Sequence, residues 1–348
     1  MLRIGRPWPA ALALVAAVVA LVVVAPLVVG NVGWVLVLRE RAPGAESIAP
    51  TASAVHAFNT ASTLRPGWAR PLVGLSFVEA DPQARAALLD RAMRDDPAFE
   101  PGWLLLSRAE EAQGDLARAD ALVIDTHNSQ LLAREGDRLV RKGELERAAT
   151  LYQAAIDVEP TAWYPSVQLA ELEMRDPARR GQAEQRLQAL LQTSPTQVPA
   201  LVLLARAQIE DRDWPAAQAN LDAALRLDPN NGDAHFARAR ALRDGYADTD
   251  GALAELARAR QTLPADGWVD VTIGETNLLA SRADAAQDVL DPLCRRGGDS
   301  GAHACYLLAD YYWRAGDRGR AEPLASRATE LGSNPAYTAL LRRVRDSA

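Results

Sequence analysis

The chain has 348 residues, 49% hydrophobic and 24% charged, which allows two ordinary globular domains or one extended array. A formal net charge of -7 argues against binding driven by nucleic-acid phosphate. Only 5% of residues are aromatic and alanine is abundant, which suits helices that approach closely, and no function attaches to the single lysine, Lys142.

No charged residue occurs over 7–38, and 10–29 is almost wholly Ala, Leu and Val. A span needs roughly 20 apolar residues, so an uncleaved transmembrane anchor is expected over 1–38. Arg3 and Arg6 also give the basic start of a signal peptide, but a signal core is only about 7–15 residues, and this run continues through Trp34 to Leu38. Arg3 and Arg6 on one side nearly balance Arg39 and Arg41 on the other. The free amino terminus tips the expectation toward a cytoplasmic N-terminus and an extracytoplasmic remainder. Residues 39–65, rich in Ala, Pro, Ser and Thr without a sustained period, read as a flexible linker, the alternative being a partly ordered helix around 55–61.

In 66–99, Trp68, Leu72 and Leu75, then Ala86, Leu89, Ala92 and Met93, fall at helical spacing, although Pro71 interrupts the first helix. The next segment, 100–128, fits with Trp103, Leu106, Gly114, Ala119 and Val123, but Asp125 to Asn128 cut its second helix short. The clearest pattern is 129–160. There Leu132, Gly136 and Leu139 mark one helical face, Ala148, Tyr152 and Ala155 a second, Gly143 a break and Pro160 an end.

From Ala148 the pattern recurs at Ala183, Ala217, Ala252, Ala286 and Ala321, at steps of 35, 34, 35, 34 and 35 residues. From Pro160 the same steps reach Pro195, Pro229 and Pro264. Four residues after each alanine comes Tyr152, Leu187, Leu221, Leu256, Leu290 or Ala325. Twelve before it comes a small residue at Gly136, Ala205, Gly274 and Ala309, with Glu171 and Arg240 as exceptions. Asp176-Pro177 and 245–249 mark turns inside two of the units. From Pro335 the period changes, and Tyr337, Leu340, Leu341 and Val344 form the apolar face of a capping helix over 334–348.

This joint pattern resembles the tetratricopeptide repeat. The resemblance covers 100–333, with a divergent first helical unit at 66–99, and implies an all-α superhelical solenoid of antiparallel helix pairs. It also implies that the first helices of successive units line a concave groove where partners bind. Carried over by register, the groove holds Arg108, then Asp137 and Arg141, Gln168 and Arg175, Arg206 and Glu210. Arg240 and Arg243 border a poorer fifth unit, whose own positions include Ala237, Ala241 and Asp244. Trp268 and Glu275 follow, then Tyr306, Asp310, Trp313 and Arg314. Arginines, carboxylates and C-terminal aromatics suit an acidic or extended peptide, or a sugar chain stacking on Trp and Tyr. The alternative is a solvated helical face.

Other motifs are weaker. Gly298-Asp299-Ser300-Gly301 resembles the serine-nucleophile segment of chymotrypsin-like proteases, but Ala302 replaces the usual glycine and the tetrapeptide reads as a turn between helices. Asp248-Thr249-Asp250-Gly251 resembles part of a calcium loop, yet Tyr246 and Ala257 stand where oxygen ligands are needed. His56, His127, His235 and His303 are scattered, and no HExxH, Walker loop or strand-linked GxGxxG occurs. Cys294 and Cys305 read either as two small buried residues or as a disulfide requiring an oxidising compartment; they are too few for zinc. The expected function is a membrane-anchored, non-enzymatic scaffold for protein partners in an envelope-assembly complex, without cofactor, metal or nucleic acid. The alternative is a glycan-binding or polymer-export accessory protein using the aromatic end of the groove.

Overall fold

A computed structural model describes residues 52–346 except 66, 264 and 266. The expected anchor over 1–38 lies outside the described residues, and no helix among those described is long and apolar enough to cross a membrane. The described residues form eighteen helices and no strand. They divide into two compact units at Pro160, so the array expected over 100–333 falls across both.

The first unit opens with α1 (Ala52–Leu64). This corrects the flexible-linker reading over 52–64 in favour of its alternative, a helix around 55–61, while 39–51 lie outside the described residues: Phe58 is fully buried, and a Cβ on Gly74 would lie 2.4 Å from its ring, so α1 packs closely on the next helix. That helix, α2 (Ala69–Val78), pairs with α3 (Pro82–Asp95). Pro71 falls in the first turn of α2, where amides have no helical acceptor to lose. Two further pairs follow, α4 (Glu100–Ala112) with α5 (Leu116–Ile124), and α6 (Ser129–Lys142) with α7 (Leu145–Val158). Helix α5 has only 9 residues and stops where expected, with His127 in the left-handed region at φ 47°.

The second unit contains the pairs α8 (Trp163–Glu173) and α9 (Arg180–Thr193), α10 (Val198–Glu210) and α11 (Trp214–Leu227), α12 (Gly232–Tyr246) and α13 (Thr249–Thr262). It continues with α14 (Trp268–Leu279) and α15 (Ala283–Arg296), α16 (Gly298–Arg314) and α17 (Arg318–Leu331), and ends in α18 (Pro335–Asp346). Tyr337, Leu340 and Val344 of α18 are buried against the preceding pair.

The periodic alanines are the closest contacts of each pair. Ala119, Ala148, Ala183, Ala217, Ala252, Ala286 and Ala321 are all 0% exposed. At two of these crossings the opposite helix carries glycine: a Cβ on Gly136 would come within 2.6 Å of Tyr152, and one on Gly274 within 2.3 Å of Leu290. The two exceptions in the small-residue series are displaced, not lost. Ala170 packs with Ala183 and Leu187, and Ala239 with Ala252 and Leu256, each thirteen residues before its alanine. The added residue accounts for the 35-residue steps that reach Ala183 and Ala252.

The turns follow local chemistry. Asp115, Asp213, Asp248 and Asp317 cap the second helices by accepting from Arg118, Ala216, Gly251 and Arg320 amides at 2.9–3.2 Å. A left-handed residue precedes each cap: Gly114, Arg212, Ala247 and Gly316. The turn expected at 245–249 is therefore shorter, because Gly245 stays inside α12 beneath the Trp214 ring.

Candidate functional site

In the second unit the first helices α8, α10 and α12 lie side by side and frame a continuous hollow. Its floor is apolar, built from Val167, Val202 and Leu203, with Pro199, Gln168, Asn231 and Asp233 at one end. The other end, about 410 Å³, is lined by Met174, Arg175, Arg180, Arg206, Glu210, Arg240 and Glu171. Glu171 and Arg206 belong to both ends.

Gln168, Arg175, Arg206, Glu210 and Arg240, five of the residues expected in the groove, are thus brought together. Arg240 lines the hollow directly rather than bordering it. Their charges are not equivalent. Arg240 donates to Glu210 at 2.8 Å and Arg180 to Asp211 at 2.8 Å, so both cations are neutralised locally. Arg206 and Arg175 are exposed and have no side-chain partner among the described residues. Behind Arg180, burial, reinforced by the Asp211 charge, pushes the Glu184 carboxyl above its ordinary range. Arg180 Nε and Glu184 Oε1 are buried there without hydrogen bonds.

In the first unit, Arg108 faces Glu135 at 3.7 Å and Arg141 is exposed. Asp137 serves the core instead of an open groove, since it accepts the Tyr152 hydroxyl at 2.7 Å. A charged network joins the two repeats there. Glu111 accepts from Arg138 at 2.8 Å, Lys142 at 3.0 Å and Arg147 at 3.2 Å, while Arg147 also grips Asp120 at 2.6 Å. Burial pushes the Glu111 carboxyl up, but these cations outweigh it and hold it below its ordinary range.

The aromatic end of the second unit is different. Trp268 of α14, His303 of α16 and Tyr337 of α18 occupy one repeat position, 35 and 34 residues apart. Their rings meet: Trp268 to His303 at 5.9 Å, His303 to Tyr337 at 6.2 Å, with Tyr306 5.6 Å from His303 and 5.3 Å from Tyr337. His303 Nδ1 lies 3.3 Å from the Tyr337 hydroxyl. Burial lowers the His303 pKa, although the Glu275 carboxylate opposes it. Trp268 remains 44% exposed. Glu275 is paired with Arg243 at 2.7 Å, and Asp310 with Arg314 at 2.7 Å. Trp313 is half-buried, with the Arg343 guanidinium 5.7 Å above its ring, so it stands apart from the Trp268 cluster.

Several weaker readings are also resolved. Gly298 to Gly301 are not a turn but the first turn of α16, and a Cβ on Gly301 would lie 2.6 Å from the Leu293 carbonyl oxygen. Cys294 and Cys305 form a disulfide with Cα atoms 4.9 Å apart, joining α15 to α16. His235 is buried between the Glu255 carboxylate at 2.5 Å and the Pro229 carbonyl at 2.9 Å. Among the described residues no cluster of three or more His, Cys, Asp or Glu could hold a metal ion.

Sequence reasoning missed Glu171, Met174 and Arg180 in the hollow, and His303 and Tyr337 among the aromatics. The 35- and 34-residue spacing of Trp268, His303 and Tyr337 was an available signal.

Residues 178–242 match the family model for the tetratricopeptide repeat. No curated protein matches the chain in sequence. Among solved structures, a tetratricopeptide repeat protein from Parabacteroides merdae is similar over 80% of this chain and 98% of its own, with a TM-score of 0.54 and 16% identity. The APC/C hetero-tetramer Cut9–Hcn1 is similar over 84% of this chain, with a TM-score of 0.53 and 12% identity. This chain spans 59% of the length of that second structure. The fold is therefore an all-helical repeat solenoid similar to that of tetratricopeptide repeat proteins.

Proposed function

We propose that this chain is a membrane-anchored scaffold that holds an extended, acidic segment of a partner protein across α8, α10 and α12. The observation that carries the reading is the pair of unpartnered guanidiniums, Arg175 and Arg206, above an apolar floor of Val167, Val202 and Leu203. Carboxylates on a bound strand would pair with those cations while its apolar side chains cover the floor. The charge-free stretch over 7–38 supports anchoring. The Cys294–Cys305 bond supports an extracytoplasmic repeat domain, and a place in an envelope-assembly complex rests on analogy with anchored repeat proteins.

The binding test uses 12-residue peptides in which apolar residues alternate with Glu, against the same peptides carrying Gln. The acidic series should bind more tightly and weaken as salt rises. Arg175→Glu with Arg206→Glu should cost at least about tenfold in affinity, and equal binding by wild type and double variant would overturn the site. Protease added to intact spheroplasts tests the location: digestion of the repeat domain is expected, and protection until lysis would refute it.

A further inference from the structure

We infer that binding of an acidic segment in the hollow is coupled to uptake of one proton at Glu184, so that acidification strengthens the hold. This rests on the peptide-binding reading of the hollow and adds its regulation.

The coupling stands on a cluster of groups behind one wall. Arg180 lines the hollow, and Glu184 sits one turn further along α9 on the same helix face. Facing them are Asp211, which closes α10, and Asp213, which opens α11. Arg180 donates to Asp211 at 2.8 Å, so its cation is already matched. Glu184 Oε1 is buried and receives no hydrogen bond, and the group beside it is the Asp211 carboxylate. Two carboxylates in contact lack a hydrogen between them, and one proton supplies it. Glu184 then donates to Asp211 while Asp211 still accepts from Arg180. Burial, reinforced by the Asp211 and Asp213 charges, pushes the Glu184 carboxyl up against the opposing pull of Arg180.

The other charged groups around Glu184 are paired, solvated or part of the hollow. Arg186 of α9 binds Glu173 of α8 at 3.0 Å, and Glu210 of α10 accepts from Arg240 at 2.8 Å. Arg179, just before α9, lies 3.8 Å from Asp176, and Arg212, between the two aspartates, is exposed. Glu171 and Arg175 of α8 and Arg206 of α10 line the hollow. With Glu184 ionised, it and Asp211 together outweigh Arg180 and repel an acidic strand lying on this wall. With Glu184 protonated, the one charge left on Asp211 is matched by Arg180, and the field in the hollow rises by one unit. One helical turn separates Glu184 from Arg180, which is within a Debye length of about 8 Å at physiological salt. A bound carboxylate therefore senses the change, and by reciprocity its binding raises the proton affinity of Glu184.

The test is calorimetric titration of the full-length chain in detergent micelles with the alternating apolar peptide carrying cysteic acid in place of Glu. Its sulfonates stay ionised, so only the protein titrates. From about pH 7.5 down to about pH 5, wild-type affinity should rise at least about threefold. Titrations in buffers of different ionisation enthalpy should show a proton taken up on binding. Glu184→Gln, which can still donate to Asp211 but carries no charge, should bind across the whole range as tightly as wild type does in acid, without proton uptake. The same pH profile in both proteins, or no proton uptake by wild type, would overturn the inference. The wild-type proton count needs no variant, so it decides the matter even if Glu184→Gln unfolds. Failure of the underlying reading looks different. Binding that Arg175→Glu with Arg206→Glu abolishes, yet that is flat with pH in wild type, keeps the peptide site and removes the coupling. No binding of the peptide at any pH removes both.

Discussion

The hollow across α8, α10 and α12 and the aromatic ladder across α14, α16 and α18 are built on equivalent first helices of one repeat scaffold, yet their side chains are used differently. In the hollow, Arg240 and Arg180 are matched by Glu210 and Asp211 while Arg175 and Arg206 have no partner. In the ladder the rings pack on each other, and Tyr337 is only 5% exposed. A guanidinium can remain solvated at little cost until a ligand arrives, whereas an aromatic ring gains by burial whether or not a ligand exists. One position in the repeat can therefore serve recognition in one place and stability in another.

The largest expected effect removes the scaffold common to both regions. Ala217→Asp puts a carboxylate into a fully buried helix contact and should destabilise the second unit by about 4 kcal/mol or more. An unchanged melting curve would refute the assigned register.

The next contrast separates the regions. Tyr337→Ala should cost about 3 kcal/mol through the lost ring contacts, while Arg206→Ala should stay within about 0.5 kcal/mol. Thermal or denaturant melts of both variants measure this, and equal losses would erase the distinction between a packing ladder and a recognition face.

Acid should act on the two regions with opposite signs. The folded chain holds His303 below its ordinary value of 6.5, so the unfolded state binds more protons in the window beneath 6.5. Stability at the ladder is then lost as pH falls through that window. Glu184 beside the hollow is held above 4.5, so its contribution is complete below 4.5 and is lost as pH rises through the folded value. Amide exchange, corrected for its intrinsic pH dependence, should show α16 and α18 loosening and α9 tightening on acidification. Shifts of the same sign in both places would contradict these assignments. Glu184→Gln should abolish the effect at α9 alone.

The smallest effect concerns the turn between α12 and α13. Ala247 adopts a left-handed conformation at φ 53°, which is costly for a residue with a Cβ. Ala247→Gly should raise stability by about 0.5 kcal/mol, measurable by chemical denaturation, and a loss of stability would show that the Cβ makes an offsetting contact.

Much of the fold was legible in the sequence because its contacts are local and repeated. An alanine every 34 or 35 residues is where two helices touch, and Gly136 is required because Tyr152 faces it. Gly143 after α6 announced its helix end by elementary capping chemistry. Glu171 and Arg240 looked like failures only because an added residue moves the small side chain to Ala170 or Ala239.

What tertiary structure decided was the fate of each surface side chain, because pairing depends on which partners on neighbouring helices packing brings within reach. The sequence places Asp137 and Arg206 at matching positions, but only packing gives Asp137 to the Tyr152 hydroxyl and leaves Arg206 unpaired. It left Cys294 and Cys305 open between burial and bonding, and the one-residue connection between α15 and α16 brings their Cα atoms to 4.9 Å. The periodic pattern determined which residues lie inside, since burial is set by helical phase. Which outward residues remain available to a ligand was set by the neighbouring repeats, whose charges and rings either satisfy them or do not.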